Sequence, residues 1–365
     1  MDLFGLPVSL SCRVLSSFVD LKSFVRLDTS VSGSNERSTQ LRDVVGSSEL
    51  ILQFRVNVSD ADVLLWLTRK RVKVENIELD GDMDEPCFRK YLREFGQFLR
   101  KVTLVDSCSS ESNVLMAVYC KKLTTFRHYG EELAALCDVL ISNPDIAELR
   151  FENILDEEVQ DLSSITCPQL ERLSITQCPS LTSFPWCNYV GPNLRCLHLA
   201  GLTWMTRDDV ITIGNACRAL KTLALRSAPL NDSILADFTT LCPTIKELDL
   251  VGNTVVTDAG ILSIVRNLPQ LNVLALYKCT SLTSLALTHI NAHCKNRLVE
   301  IHVDVDNAII DAFKTLLHNA NPSVLGLFLS NELNHLQLDS LFAAAARVEV
   351  LCVSTRERED DILCM

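Results

Sequence analysis

A six-residue frame, apolar-x-x-apolar-x-apolar, returns thirteen times along the chain. It starts at Ile51, Val74, Leu99, Leu123, Ile146, Leu170, Leu194, Leu220, Ile245, Leu271, Leu298, Val324 and Val348, at spacings of 23 to 27 residues. Its last two apolar positions are two residues apart. That is the period of a strand with one buried face, so each frame predicts a short strand. Between frames the apolar positions fall into helical spacing. The helix entrance is clearest at Val256-Thr257-Asp258-Ala259-Gly260-Ile261, where Thr257 is a natural N-cap and Asp258 suits the positive end of the helix dipole. Related entrances are Ser59-Asp60-Ala61, Thr206-Arg207-Asp208 and Asn231-Asp232-Ser233. Each helix then runs to a Cys-x-x-apolar step, with Cys120 before Leu123, Cys167 before Leu170, Cys217 before Leu220 and Cys242 before Ile245.

One unit of strand, turn and helix cannot bury its apolar face alone. Burying a Leu or Ile gives roughly 1.5–3 kcal/mol, against a backbone ordering cost of about 1–2 kcal/mol per residue. Neighbouring units must cover each other, which lines the strands into a parallel sheet with helices outside.

The residues Cys242 to Ile261 read Cys-x-x-Ile-x-x-Leu-x-Leu and then Thr-Asp-x-Gly-Ile. This resembles the cysteine-containing class of leucine-rich repeats, in a solenoid like that of ribonuclease inhibitor, and the likeness extends over residues 48 to about 355. Cys178 and Cys279 stand at the turn position that Asn253 holds in its own repeat. The resemblance implies an α/β horseshoe with parallel strands on the concave face and helices outside.

Residues 1–45 do not follow the repeat. Leu10, Val14, Leu15 and Phe18 are followed, after Asp20, by Leu21, Phe24 and Leu27, which predicts two short amphipathic helices. Leu6-Pro7, an apolar helix, then Asp20-Leu21-x-x-Phe24-x-x-Leu27 resembles an F-box. Where an F-box continues with Cys-Arg-x-Trp, this chain has Ser32-Gly33-Ser34-Asn35. The resemblance implies docking on a Skp-type adaptor, and through it a cullin, by Leu6, Pro7, Val14, Leu15, Phe18, Leu21, Phe24 and Leu27. Read without it, the same helices cap the first repeat, as every solenoid requires. The expected division is an F-box-like helical segment at 1–45, about thirteen repeats at 46–355 and a polar tail at 356–365.

Composition narrows the partners. The formal charge of −12 argues against nucleic acid, whose phosphates need a basic field. The run Leu341–Ala346 is far short of the roughly 20 residues of a membrane span. The start, Met1-Asp2-Leu3-Phe4, does not read as a signal peptide, and Ile362 stands where a prenylation box needs cysteine. Fifteen cysteines, many at one repeat position among apolar neighbours, read as reduced, buried thiols. A cytoplasmic or nuclear location is the corresponding expectation.

Candidate chemistry is sparse. The chain has no phosphate-binding glycine loop and no nucleophile elbow. The best metal candidate is His289-x-x-x-His293-Cys294, but Ile290 stands where a zincin has Glu, so a surface histidine pair beside a buried Cys294 is the simpler reading. Cys108 and Cys120 lack a Cys-x-x-Cys partner. Trp66, Trp186 and Trp204 read as packing residues. No cofactor, no metal and no enzymatic activity are expected.

What remains is a surface. Side chains between the buried strand positions must face away from the helices. They include Arg127, Tyr129, Arg150, Arg172, His198, Arg226, Tyr277, His302 and Phe328, with Glu148, Glu152, Glu247, Asp249, Glu300 and Asp304 among them. Arg127, Arg150 and Arg172 are expected in register. Arg and Tyr are enriched at binding hot spots. With the repeats behind it, the F-box resemblance implies a substrate-recognition subunit of a cullin–RING ubiquitin ligase. A scaffold or inhibitor, or a GTPase-activating protein of leucine-rich-repeat type, are the other readings.

Overall fold

The computed structural model describes residues 50–354 apart from 59–60, 81–82, 106–108, 131–136, 154–161, 164, 179–180, 229, 295–296, 321, 330–332 and 347. Before residue 50 it describes 11, 12, 14, 15, 23, 26, 39, 41, 43–45 and 47. The chain divides into two compact units, Met1–Leu170 and Glu171–Met365.

In the first unit the order is β1 (Leu52–Val58), α1 (Ala61–Lys70), β2 (Val74–Leu79), α2 (Glu85–Phe95), β3 (Lys101–Val105), α3 (Ser110–Tyr119), β4 (Thr125–Tyr129), α4 (Cys137–Ile141) and β5 (Glu148–Glu152). Each strand pairs in parallel with the next. The second unit runs β6 (Arg172–Thr176), α5 (Trp186–Tyr189), β7 (Cys196–Ala200), α6 (Arg207–Ala216), β8 (Thr222–Arg226), α7 (Asp232–Leu241), β9 (Glu247–Asp249) and α8 (Asp258–Asn267). It continues with β10 (Val273–Ala275), α9 (Ser284–His293), β11 (Glu300–Val305), α10 (Ile310–Ala320), β12 (Val324–Leu329), α11 (His335–Ala344) and β13 (Val350–Ser354). Its strands again pair only in sequence and in parallel. This is the repeating strand–helix solenoid that the thirteen frames predict.

Two frames sit two residues off the register. Leu325 and Leu327 pair with Ile301 and Val303, so the frame of β12 begins at Pro322 and not at Val324. In β1 a bulge lies between Leu52 and Arg55, and Val56 and Val58 take the two inner positions opposite Ile77 and Leu79. A slip of two leaves the same face buried, so alternation alone does not distinguish the registers.

The core lies behind the strands. Leu223, Leu225, Leu248 and Leu250 are buried, as are Leu235, Phe238, Ile261 and Ile264 from the helices between. The recurrent cysteines cap helices. Cys120, Cys217, Cys242 and Cys294 are the C-cap residues of α3, α6, α7 and α9, each donating its N–H to the carbonyl four residues back. The Cys242 thiol reaches the carbonyl oxygens of Gly214 and Cys217 in the preceding repeat, at 3.8 and 3.7 Å. Cysteine suits a place that is small, dry and faced by a carbonyl. Burial pushes Cys120 and Cys242 up to about 12, and Cys167 and Cys217 up to about 11. All described cysteines are free thiols.

At the N-terminal ends of α8 and α9 a carboxylate couples neighbouring repeats. Asp232, in the first turn of α7, accepts from the Thr257 N–H at 2.9 Å and from its hydroxyl at 2.6 Å. Asp258, in the first turn of α8, does the same for Thr283 at 2.9 and 2.6 Å. Thr257 and Thr283 are themselves the N-caps of α8 and α9. Gly260 is required here, because a Cβ on it would run into the Asp232 carboxylate. Thus Asp and Gly in the Thr-Asp-x-Gly-Ile motif serve the stacking of repeats as well as the local helix. Thr206 and Asn231 also cap their helices as expected, Thr206 through a capping box with Asp209. Ser59 and Asp60 lie outside the described residues.

Candidate interaction face

Position by position, the strands present polar and aromatic side chains between buried ones. Arg127 and Arg150 are direct neighbours across β4 and β5. Arg172 holds the first place of β6, where Arg127 and Arg150 hold the third of theirs, and the third place of β6 is Ser174. The expected row of three arginines therefore reduces to a pair, and Arg172 occupies the frame position of Glu148.

Both paired arginines are engaged within the sheet. Arg127 donates to the Glu148 carboxylate from Nε and Nη2, at 2.9 and 2.5 Å. Arg150 lies 3.4 Å from Glu152 and covers the Tyr129 ring at 5.1 Å from its centroid. All five side chains are half-buried. In the second unit Arg226 donates to Asp249 at 2.5 Å, and the Thr222 hydroxyl donates to Glu247 at 2.8 Å. His198 lies opposite Ser174 on one side and Ala224 on the other. Among the described residues, Arg127–Glu148 and Arg226–Asp249 are ion pairs held across strands, and Arg150–Glu152 is one within a strand.

A second cluster sits over β10–β12. His302 is buried and contacts Glu300 through Nε2, while its Nδ1 lies 3.4 Å from the Tyr277 hydroxyl. Gly326 is the strand partner of His302. A Cβ there would overlap the His302 ring and the Tyr277 hydroxyl, so glycine is what admits them. Beyond Gly326, Cys352 is exposed on β13. Burial, and then the charges of Asp304, Cys352 and Glu300, push the Tyr277 hydroxyl well above its ordinary value. Asp304 accepts from the Lys278 N–H, and its carboxyl is raised, mainly by burial. The side chain of Phe328 lies outside the described residues. Strand alternation marks Tyr277 and His302 in the sequence, and an isolated Gly between strand residues marks the place that admits them.

Of the adaptor residues, Val14 and Leu15 are described. Both are helical, and Leu15 is buried, which assigns it to packing within the chain. Leu6, Pro7, Phe18, Leu21, Phe24 and Leu27 lie outside the described residues. The His289, His293 and Cys294 side chains do not converge: His293 is exposed, and the Cys294 thiol is buried and accepts from Arg297 at 3.1 Å. Among the described residues no group of three His, Cys, Asp or Glu could hold a metal ion. No described helix is long and apolar enough to cross a membrane. Trp186 is buried against Phe184 at 4.8 Å and Trp204 at 6.1 Å, a packing cluster.

These features define a leucine-rich-repeat solenoid whose accessible chemistry is a face of ordered side chains. No family model matches the chain, and no curated protein matches it. A solved structure does: a chain of the Rad7 and Elc1 complex of yeast is similar over 87% of this chain and 97% of its own length, with a TM-score of 0.51 and 15% identity. A chain of the TLR13–ssRNA13 complex is similar over 86% of this chain and 37% of its own, with a TM-score of 0.37 and 12% identity.

Proposed function

We propose that the chain is a protein-binding module without enzymatic activity of its own, the substrate-recognition subunit of an SCF-type ubiquitin ligase in the cytoplasm, the nucleus or both. In this reading residues 1–45 dock a Skp-type adaptor and through it a cullin. Residues 46–355 hold a protein substrate, and 356–365 form a polar tail. The observation that carries the reading is the rigid row of Arg and Tyr side chains, Arg127, Tyr129 and Arg150, fixed by neighbours in the sheet. Such groups lose little freedom on binding, which limits its entropy cost. The module would act by holding its partner in place for another protein's chemistry. The F-box-like order of Leu6-Pro7 and Asp20-Leu21 supports the adaptor half. So does the similar fold of a chain from the Rad7 and Elc1 complex, a structure of two proteins bound together.

The test is capture of purified Skp-type adaptor, with its cullin, by the full chain. We expect capture by the native chain and its loss in the Leu6→Ala/Pro7→Ala double variant, with unchanged circular dichroism. Equal capture by both would overturn the adaptor assignment. A scaffold or inhibitor is the second reading, favoured by Ser32-Gly33-Ser34-Asn35 in place of the F-box Cys-Arg-x-Trp step. It predicts no adaptor capture by either form.

A further inference from the structure

The carboxylate ladder that couples helix starts ends at α9. Asp232 serves Thr257, and Asp258 serves Thr283, but the residue equivalent to them in α9 is Ser284. The next turn caps itself: Asp306 accepts from the N–H groups of Ala308 and Ile309, at 2.9 and 3.1 Å. Where the coupling stops, a cleft of about 740 Å³ opens, lined by the turns after β8 to β11 and the start of α9. That is the size range of pockets that take a ligand or several side chains.

The walls combine apolar side chains with the hydroxyls of Ser227, Thr254, Thr280 and Thr283. Leu276, Leu282, Leu287, Val303, Val305 and Ile309 line them. Asp304, Asp306 and Lys278 supply the charges. One ammonium against two carboxylates leaves one negative charge uncompensated in the cleft. Asp304 is the deeper carboxylate, and burial raises its carboxyl despite the nearby Lys278 charge. A cation brought beside it would relieve that cost.

We propose that this cleft is a binding site for a basic side chain, of arginine or lysine type, from a partner protein. The aliphatic stem would lie along the leucine and valine walls, and the charged head would meet Asp304 and Asp306. An alkyl stem with a cationic tip matches an apolar wall with an acidic rim. The source of the side chain rests on the interaction-module reading above; the chemistry rests on the cleft alone.

The test uses the full chain and three small probes: butylguanidinium, its uncharged isostere butylurea, and butyrate. Methyl NMR reports on Leu276, Leu282, Leu287, Val303, Val305 and Ile309. We expect butylguanidinium to shift these methyl signals at about fivefold lower concentration than butylurea, as for a part-buried ion pair, and butyrate to be weakest. Asp304→Asn/Asp306→Asn should erase the preference, while Asn keeps an acceptor for the Lys278 and Ala308 N–H groups. Lys278 has a φ of +57°, a conformation Asn tolerates, so Lys278→Asn removes the competing ammonium without backbone strain and should tighten butylguanidinium. Equal shifts from butylguanidinium and butylurea, stronger butyrate binding, or weaker cation binding in Lys278→Asn would each overturn the proposal. Adaptor capture is measured separately, so failure of the ligase reading leaves this result standing.

Discussion

Gly326 and His128 are single residues whose packed surroundings restrict what can replace them. Gly326→Ala would place a methyl where the His302 ring and Tyr277 hydroxyl now meet. Overpacking of this kind costs about 1–3 kcal/mol. We expect a lower urea midpoint and displaced His302 ring signals by NMR; an unchanged midpoint would contradict the placement. His128 stands at a frame position held by Phe151 in the next strand, and it is buried. Burial lowers its pKa from 6.5 to about 4. The sign follows from linkage. Below the unfolded pKa the unfolded chain takes up a proton that the folded chain refuses, so stability is full above pH 6.5 and falls toward pH 4. A shift of this size corresponds to a loss of up to about 3 kcal/mol. Urea unfolding at about pH 7 and about pH 4.5 should show a steeper loss in the native chain than in His128→Phe.

At the scale of elements, the two ends of each helix do different work. The N-terminal ends of α8 and α9 are tied by carboxylates from the repeat before. Removing the cap in Thr257→Ala should cost about 1 kcal/mol, and Asp232→Ala a similar amount although it lies in another helix. If only Thr257→Ala destabilises, the coupling between repeats is not real. The C-terminal ends of α3, α6, α7 and α9 are sealed by cysteines. With Cys120 and Cys242 raised to about 12, and Cys167 and Cys217 to about 11, the thiolate fraction near pH 8 is small. Alkylation of these four should be slow in the folded chain and fast in denaturant, whereas exposed Cys187 and Cys352 should react at once. Rapid native labelling of the four would contradict their burial between repeats.

For the molecule as a whole, the question is how much of the sheet face is available to a partner. Several of the charges on this face are paired with each other. Arg127 holds Glu148, Arg150 holds Glu152, and Arg226 holds Asp249. Charge reversal at Arg127 and Arg150 would therefore crowd carboxylates and disturb the sheet. Arg127→Gln/Arg150→Gln is the cleaner change. With a verified partner we expect about a tenfold loss of affinity, typical of hot-spot arginines, with a thermal midpoint shifted by only a few degrees. Full affinity in that variant would move the binding site away from β4 and β5.

The solenoid was legible in the sequence because its cause is periodic. Leu220-x-x-Leu223-x-Leu225 and its relatives bury one strand face, and only stacking covers that face. The helix caps at Thr257 and Asn231 were legible for the same reason, since a cap acts within a few residues. Which of two registers Val324 and Ile51 belonged to was not, because a two-residue slip buries the same face and only the neighbouring strand distinguishes them. Nor was the pairing of Arg127 with Glu148, or the meeting of Tyr277, His302 and Gly326. Those contacts join residues 21 to 25 positions apart, or lie across a strand partner, and they exist only once repeats stack. The local pattern determined the elements and their order; the contacts between successive repeats decided which charges stay open and where a cleft forms.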